Sequence, residues 1–204
     1  MFTPCKSLPI LLSFDNKELE VIHNNKGIIM NLKSLIRTVP NYPKPGILFR
    51  DITTILYNGK ALKYISDIYF NRYKDKNITA IAGIEARGFI FGAIIAERLG
   101  ISFVPIRKKN KLPCKVISEE YMLEYGSDIL ELDITALNSD SIVVIIDDLI
   151  ATGGTAIAAG NLIKKLGANI HEYSFLVNLP DLGGENKLKD CNYSVHYLIE
   201  YEGE

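Results

Sequence analysis

The chain is short of cysteine and histidine and carries almost no net charge, and each shortage excludes something. Its three cysteines, Cys5, Cys114 and Cys191, lie far apart and form no C-x-x-C pair. That excludes a disulfide framework and a zinc ribbon, and it suits a reducing cytoplasm. The three histidines, His23, His171 and His196, have no ligand spacing, which argues against a first-row metal site. Lys plus Arg number 23 against 24 Asp plus Glu, a net charge of −1. A dedicated nucleic-acid binder would carry a basic excess, so an anionic partner has to be met by a local site. No apolar run reaches the ~18 residues that a membrane-crossing helix requires; the stretch Gly88 to Ala96 stops at Glu97 and Arg98. Near the N-terminus, Leu8 to Leu12 is too short for a secretory signal, is interrupted by Pro9, and has no small-x-small cleavage site after it. The two commonest phosphate-binding signatures, G-x-x-x-x-G-K-[ST] and G-x-G-x-x-G, are missing as well.

What is present fits one domain. At 204 residues, 48% of them hydrophobic and 23% charged, the chain can bury a core without covalent staples. Residues 1–30 differ in texture from the rest. An irregular apolar patch gives way to the polar run His23-Asn24-Asn25-Lys26-Gly27, so a disordered or dispensable extension is expected, with Met30 a plausible true start. A single domain is expected over 31–204. It opens on a helix capped by Asn31, with Leu32, Leu35, Ile36 and Val39 on one face. A stiff proline loop follows at 40–46. Strands are predicted at 78–83, 103–107, 141–147, 170–178 and 193–199, and helices at 59–73, 88–99 and 155–166. Residues 108–127 read as a long polar excursion. Strands alternating with helices imply an α/β fold around a mostly parallel sheet.

The strand ending Ile142-Val143-Val144-Ile145-Ile146 runs into Asp147-Asp148-Leu149-Ile150-Ala151-Thr152-Gly153-Gly154-Thr155 and then a helix. In open α/β sheets ligands bind at the carboxyl ends of strands. A loop of small residues there lets backbone N–H groups approach a phosphate, and the next helix adds its dipole. Thr152 and Thr155 bring hydroxyl donors. Two adjacent carboxylates are costly side by side unless they accept hydrogen bonds from vicinal hydroxyls, such as those of a ribose, or face a Mg²⁺ ion. An ordinary tight turn would explain Gly153-Gly154 but neither the acidic pair nor the threonines. A phosphorylated sugar fits all of them.

The stretch Val143 to Thr155 resembles the 5-phosphoribosyl 1-pyrophosphate (PRPP) motif of the type I phosphoribosyltransferase family. Three further segments make residues 31–204 similar to its adenine phosphoribosyltransferase branch. The resemblance implies the type I fold, a central mostly parallel sheet flanked by helices with a small hood over about 31–57. It implies that Ala151, Thr152, Gly153, Gly154 and Thr155 hold the 5′-phosphate and that Asp147 and Asp148 hold the ribose. The segment Pro45 to Ile52 resembles the hood strand whose main chain reads adenine, which maps onto Leu48 and Arg50. Gly83 to Phe89 resembles a pyrophosphate loop with a cis peptide before its arginine, here Arg87. Pro105 to Pro113 resembles a basic stretch, giving Arg107, Lys108 and Lys111 to pyrophosphate; Asn110 stands where the family usually has Gly, and Asn tolerates positive φ. A mobile loop over about 108–127 ends in Leu123-Glu124-Tyr125-Gly126, with Glu124 as the acid–base residue.

The implied reaction is adenine plus PRPP giving AMP and pyrophosphate in purine salvage, with Mg²⁺ carried by PRPP rather than bound directly by the protein. A cytoplasmic homodimer with no nucleic-acid or membrane partner is also implied. Two rivals share the PRPP loop. A 6-oxopurine phosphoribosyltransferase would differ at 45–52 and 123–126. A PRPP-sensing regulator would need a basic DNA-binding domain, for which 30 non-basic residues are too few.

Overall fold

The computed structural model describes residues 22–24, 27–122 and 126–203, and the chain divides into two compact units, residues 1–31 and 32–204. In the first unit β1 (Ile22–Asn24) and β2 (Gly27–Ile29) pair antiparallel, a short hairpin that the polar sequence did not predict.

The second unit opens with a 3₁₀ turn at Leu32–Leu35 rather than the predicted helix. The chain is diverted into β3 (Arg37–Pro40), which pairs antiparallel with β4 (Leu48–Asp51), Thr38 opposite Arg50 and Val39 opposite Phe49. The reason is local. Thr38 and Val39 are β-branched, and the residue before Pro40 is biased away from helix. An ion pair from Arg37 to Asp51 ties the ribbon together, and Leu32 and Ile36 are still buried. The proline segment between the strands is closed by Asn41, whose Oδ1 accepts from the Gly46 N–H at 2.9 Å.

A short helix α1 (Thr53–Leu56) precedes α2 (Gly59–Tyr73). Asn58 caps α2 by accepting from the N–H groups of Lys60 and Ala61, both at 3.1 Å. Ile65 and Tyr69 of the predicted stripe are buried, joined by Tyr73. The chain then alternates as β5 (Ala80–Ile84), α3 (Glu85–Leu99), β6 (Ser102–Lys108), β7 (Val116–Met122), β8 (Ser127–Asp133), β9 (Ile142–Ile150), α4 (Gly154–Lys165), β10 (Asn169–Asn178), α5 (Gly184–Asp190) and β11 (Val195–Glu200). Helix α3 thus begins three residues before the predicted helix.

The central sheet has the order β11-β10-β9-β5-β6-β8-β7. Its first five strands are parallel, and β8 pairs antiparallel with both β6 and β7. The α/β expectation holds. The polar excursion is instead a β-ribbon whose inner face alternates through Ile117, Glu119 and Tyr121. Val143, Val144, Ile145 and Ile146 are fully buried, as expected for a parallel strand covered on both faces. Burying each such side chain stabilises the fold by about 1.5–3 kcal/mol, which makes β9 a rigid base for the loop at its end.

Candidate active site

The carboxyl ends of β5 and β9 converge with the first turns of α3 and α4 on two adjoining cavities. The smaller, of ≈ 130 Å³, is lined by Arg87, Asp147 and the run Ala151 to Thr155. The larger, of ≈ 410 Å³, is lined by Glu85, Arg87, Lys108, Tyr121, Asp147 and Thr155, among others. Arg87, Asp147 and Thr155 belong to both, so a single ligand could reach from one into the other.

The phosphate loop takes its shape from Gly153, which sits at φ 80° immediately before α4. A side chain there would be strained, and glycine adopts the left-handed conformation without a Cβ clash. Helix α4 then starts at Gly154 with its N-terminal dipole at the cavity.

The acidic pair differs in setting. Asp147 lines the cleft, and burial together with the Asp148 charge pushes its carboxyl well above the usual carboxylate range. Asp148 is fully buried, and neither of its oxygens accepts a hydrogen bond among the described residues. Burial pushes its carboxyl up as well, and Arg87, whose Nη1 lies 3.0 Å away, opposes that rise. Arg87 itself is 48% exposed, so one guanidinium reaches from the cleft to a carboxylate in the core.

The turn before Arg87 corrects one expectation. Its peptide bond is trans, and Glu85 at φ 47° makes the tight turn instead. The Glu85 carboxylate accepts from the Lys108 N–H at 2.7 Å and from Arg107 Nε at 3.4 Å, which locks the end of β6 to the start of α3. Glu85 is a site residue that the sequence pattern of the Gly83 to Phe89 segment did not single out. Asn110 occupies φ 63°, so it makes the left-handed turn expected of a residue replacing Gly.

The remaining predicted residues are dispersed. Lys108 lines the larger cavity and pairs with Asp128 at 2.8 Å, which raises the lysine's affinity for its proton. Arg107 lies behind Glu85, its guanidinium over the Phe89 ring at 5.4 Å. Lys111 is exposed and lines neither cavity. Leu48 and Arg50 lie on β4 and line neither. The Arg50 side chain donates to Thr38 Oγ1 at 2.6 Å and stacks over the Tyr201 ring at 4.1 Å. Glu124 lies outside the described residues.

Tyr121 was missed. It reaches the larger cavity from β7, directly opposite Asp128 in the ladder, and burial raises its hydroxyl pKa. The period-2 alternation of β7 was the signal that could have found it. That strand is clamped onto α4 by Glu119, which accepts from Asn161 at 2.7 Å and Lys165 at 2.6 Å and is held below the usual carboxylate range by them.

A family model, "Phosphoribosyl transferase domain", matches residues 51–190. The chain therefore belongs to the phosphoribosyltransferase family, and its cavity lies at the sheet's carboxyl edge, where open α/β sheets bind ligands. An adenine phosphoribosyltransferase of Shewanella pealeana is 51% identical over 180 residues, spanning 88% of this chain and 98% of that one. Adenine phosphoribosyltransferase 1 of Triticum aestivum is 53% identical over 164 residues, spanning 80% and 91%. The crystal structure of adenine phosphoribosyltransferase from Thermoanaerobacter pseudethanolicus superposes with a TM-score of 0.79 at 44% identity, covering 83% of this chain and 98% of that one. The Saccharomyces cerevisiae enzyme, solved with an imino-altritol bisphosphate and adenine, gives 0.77 at 41% identity, covering 82% and 96%. Within the family, this chain falls in the adenine phosphoribosyltransferase branch.

Proposed function

We propose that the chain transfers the phosphoribosyl group of PRPP to adenine, forming AMP and releasing pyrophosphate. The C1′–O bond breaks with its electron pair leaving on the diphosphate, and adenine N9 bonds to C1′. The observation that carries this reading is the meeting of Arg87, Asp147 and Thr155 where the two cavities join. A 5′-phosphate fits the loop Ala151 to Thr155, and the ribose then lies beside Asp147. The larger cavity, with Arg87 and Lys108, takes the diphosphate. Holding C1′ between fixed phosphates converts the encounter with adenine into an oriented, nearly unimolecular step.

Arg87 would stabilise the negative charge that builds on the leaving group. Asp148 would serve the ribose through Arg87, whose guanidinium its buried carboxylate holds beside Asp147. Arg107 and Lys111 would add positive charge around the departing diphosphate. Mg²⁺ bound to PRPP's phosphate oxygens would supply further neutralisation. Asp147, the member of the acidic pair that lines the cleft, would face such an ion. Adenine would be read by the main chain at Leu48 and Arg50, on a strand that is half of a two-stranded ribbon. Glu124 would hold the N7–H tautomer that presents the N9 lone pair and take up the N7 proton as the N9–C1′ bond forms.

A cytoplasmic homodimer completes the proposal. The exposed free thiols of Cys114 and Cys191 suit a reducing compartment, and light scattering on the purified chain reads the assembly directly. The decisive assay offers adenine, hypoxanthine, guanine, xanthine and uracil with PRPP and Mg²⁺, reading pyrophosphate release. Adenine should win by up to roughly 10⁴-fold, because a site built to pair a 6-amino group leaves groups unpaired against a 6-oxo base. Comparable kcat/KM for hypoxanthine would move the chain to the 6-oxopurine enzymes. PRPP-dependent DNA retardation without turnover would make it a regulator.

A further inference from the structure

The phosphate loop is braced from outside the cavity by a segment with no assigned role. Three of the loop's carbonyls each have a donor waiting for them. The Ala151 carbonyl accepts from the Gly184 N–H at 2.9 Å, the Gly153 carbonyl accepts from the Ile157 N–H at 3.0 Å, and the Thr152 carbonyl accepts from Lys187 Nζ at 2.9 Å. In a trans peptide the C=O and the following N–H point in opposite directions. Tying a carbonyl on one side therefore aims the next N–H to the other. Had these carbonyls turned into the cavity, their partial negative charge would repel a phosphate dianion.

Two of the three donors belong to the turn and first residues of α5. The fit is close enough to need glycine. A Cβ on Gly184 would come within 2.3 Å of the Ala151 carbonyl oxygen and 2.7 Å of the Gly153 nitrogen. Backbone therefore packs on backbone, and the one side chain that reaches the loop from this segment by a hydrogen bond is Lys187. It alone among the three donors is charged. Its bond is charge-assisted, and its ammonium adds positive potential to a loop that the cavity-lining residues leave without a cation other than Arg87.

We propose that Lys187 is a positioning residue for the 5′-phosphate loop: it fixes the Thr152–Gly153 peptide so that its N–H serves the phosphate, and it raises the loop's affinity for a dianion. The inference rests on the reading of Ala151 to Thr155 as the 5′-phosphate site. It assigns a phosphate-specific effect to a side chain that touches no substrate.

The experiment compares Lys187→Met and Lys187→Arg with the wild type by titration calorimetry. AMP and ribose 5-phosphate are the phosphate-bearing ligands, and adenosine is the control without phosphate. Lys187→Met should weaken AMP and ribose 5-phosphate about tenfold at low salt, the loss of one charge-assisted contact discounted for exposure. Adenosine binding should stay within twofold, the penalty should shrink as salt rises, and Lys187→Arg should restore most of the affinity. In turnover, KM for PRPP should rise while KM for adenine at saturating PRPP does not. Equal losses for AMP and adenosine would reduce Lys187 to a structural role, and AMP affinity within twofold of wild type would leave it no role at all. A wild-type chain that binds neither AMP nor ribose 5-phosphate would instead overturn the loop assignment, so the two failures are distinguishable.

Discussion

Replacing Arg87 with methionine should make the stability of this protein fall more steeply with rising pH than the wild type's does. The perturbation keeps the aliphatic stem and removes the guanidinium 3.0 Å from the Asp148 carboxylate, which is fully buried. Removing one partner of a buried ion pair costs about 3–5 kcal/mol when the other charge is stranded. Arg87 is 48% exposed, so water reaches the gap and the figure falls to about 2 kcal/mol. For a domain this size that is a drop in Tm of roughly 4–8 °C. The sign with pH follows from Asp148. Burial already lifts its carboxyl above its ordinary value, and losing Arg87 lifts it further. A carboxyl raised in the folded state favours folding while protonated, and that contribution is lost as pH climbs through the raised value. The variant and wild-type curves should therefore nearly meet at about pH 4, close to the unfolded-state value, and diverge toward pH 8. Urea unfolding across this range reads the gap, and adding Asp148→Asn to Arg87→Met should recover most of the loss at pH 8. A difference that is flat with pH, or a double variant no better than the single, refutes the claim that Arg87 holds a buried charge in place.

Three further outcomes are expected. Glu124→Gln should lower single-turnover AMP formation by roughly 10²–10⁴-fold while leaving PRPP binding without base nearly unchanged; wild-type turnover would remove Glu124 from the proton chemistry. Gly88→Ala should destabilise the fold by about 1–3 kcal/mol, because a Cβ there would sit 2.6 Å from the Ile146 carbonyl oxygen and force α3 off β9; an unchanged urea midpoint contradicts that close approach. Removing residues 1–29 should preserve both the cooperative melt and the activity, since the second compact unit starts at Leu32 and every proposed site residue lies beyond it; loss of either would make the extension part of the working fold.

Much of the fold could be read from local pattern, because patterns of period 3.6 and period 2 need no distant partner. Helix α2 fell on its predicted bounds, and the all-apolar run Ile142 to Ile146 announced a strand buried on both faces. The loop from Asp147 to Thr155 was legible for the same reason: its small residues, hydroxyls and carboxylates are contiguous, so their joint chemistry survives in one dimension. The failures occurred where a distant partner decides. Residues 31–39 carry a helical stripe, yet pairing of Thr38 with Arg50 and the Arg37–Asp51 ion pair draw the end of that stretch into the strand Arg37–Pro40. Residues 108–127 read as a polar excursion from the sheet because the Ile117–Glu119–Tyr121 face is half polar, and only α4 lying against it gives Glu119 its partners. At the site, Asp147 and Asp148 read in one dimension as sharing one task. Tertiary structure separates them, one lining the cleft and one sealed against Arg87, because neighbouring side chains on a strand leave it in opposite directions. The chain alone determined which residues could meet a phosphorylated sugar. Which of them face it, and which brace the others, depended on packing between segments far apart in the chain, as with Arg87 and Asp148.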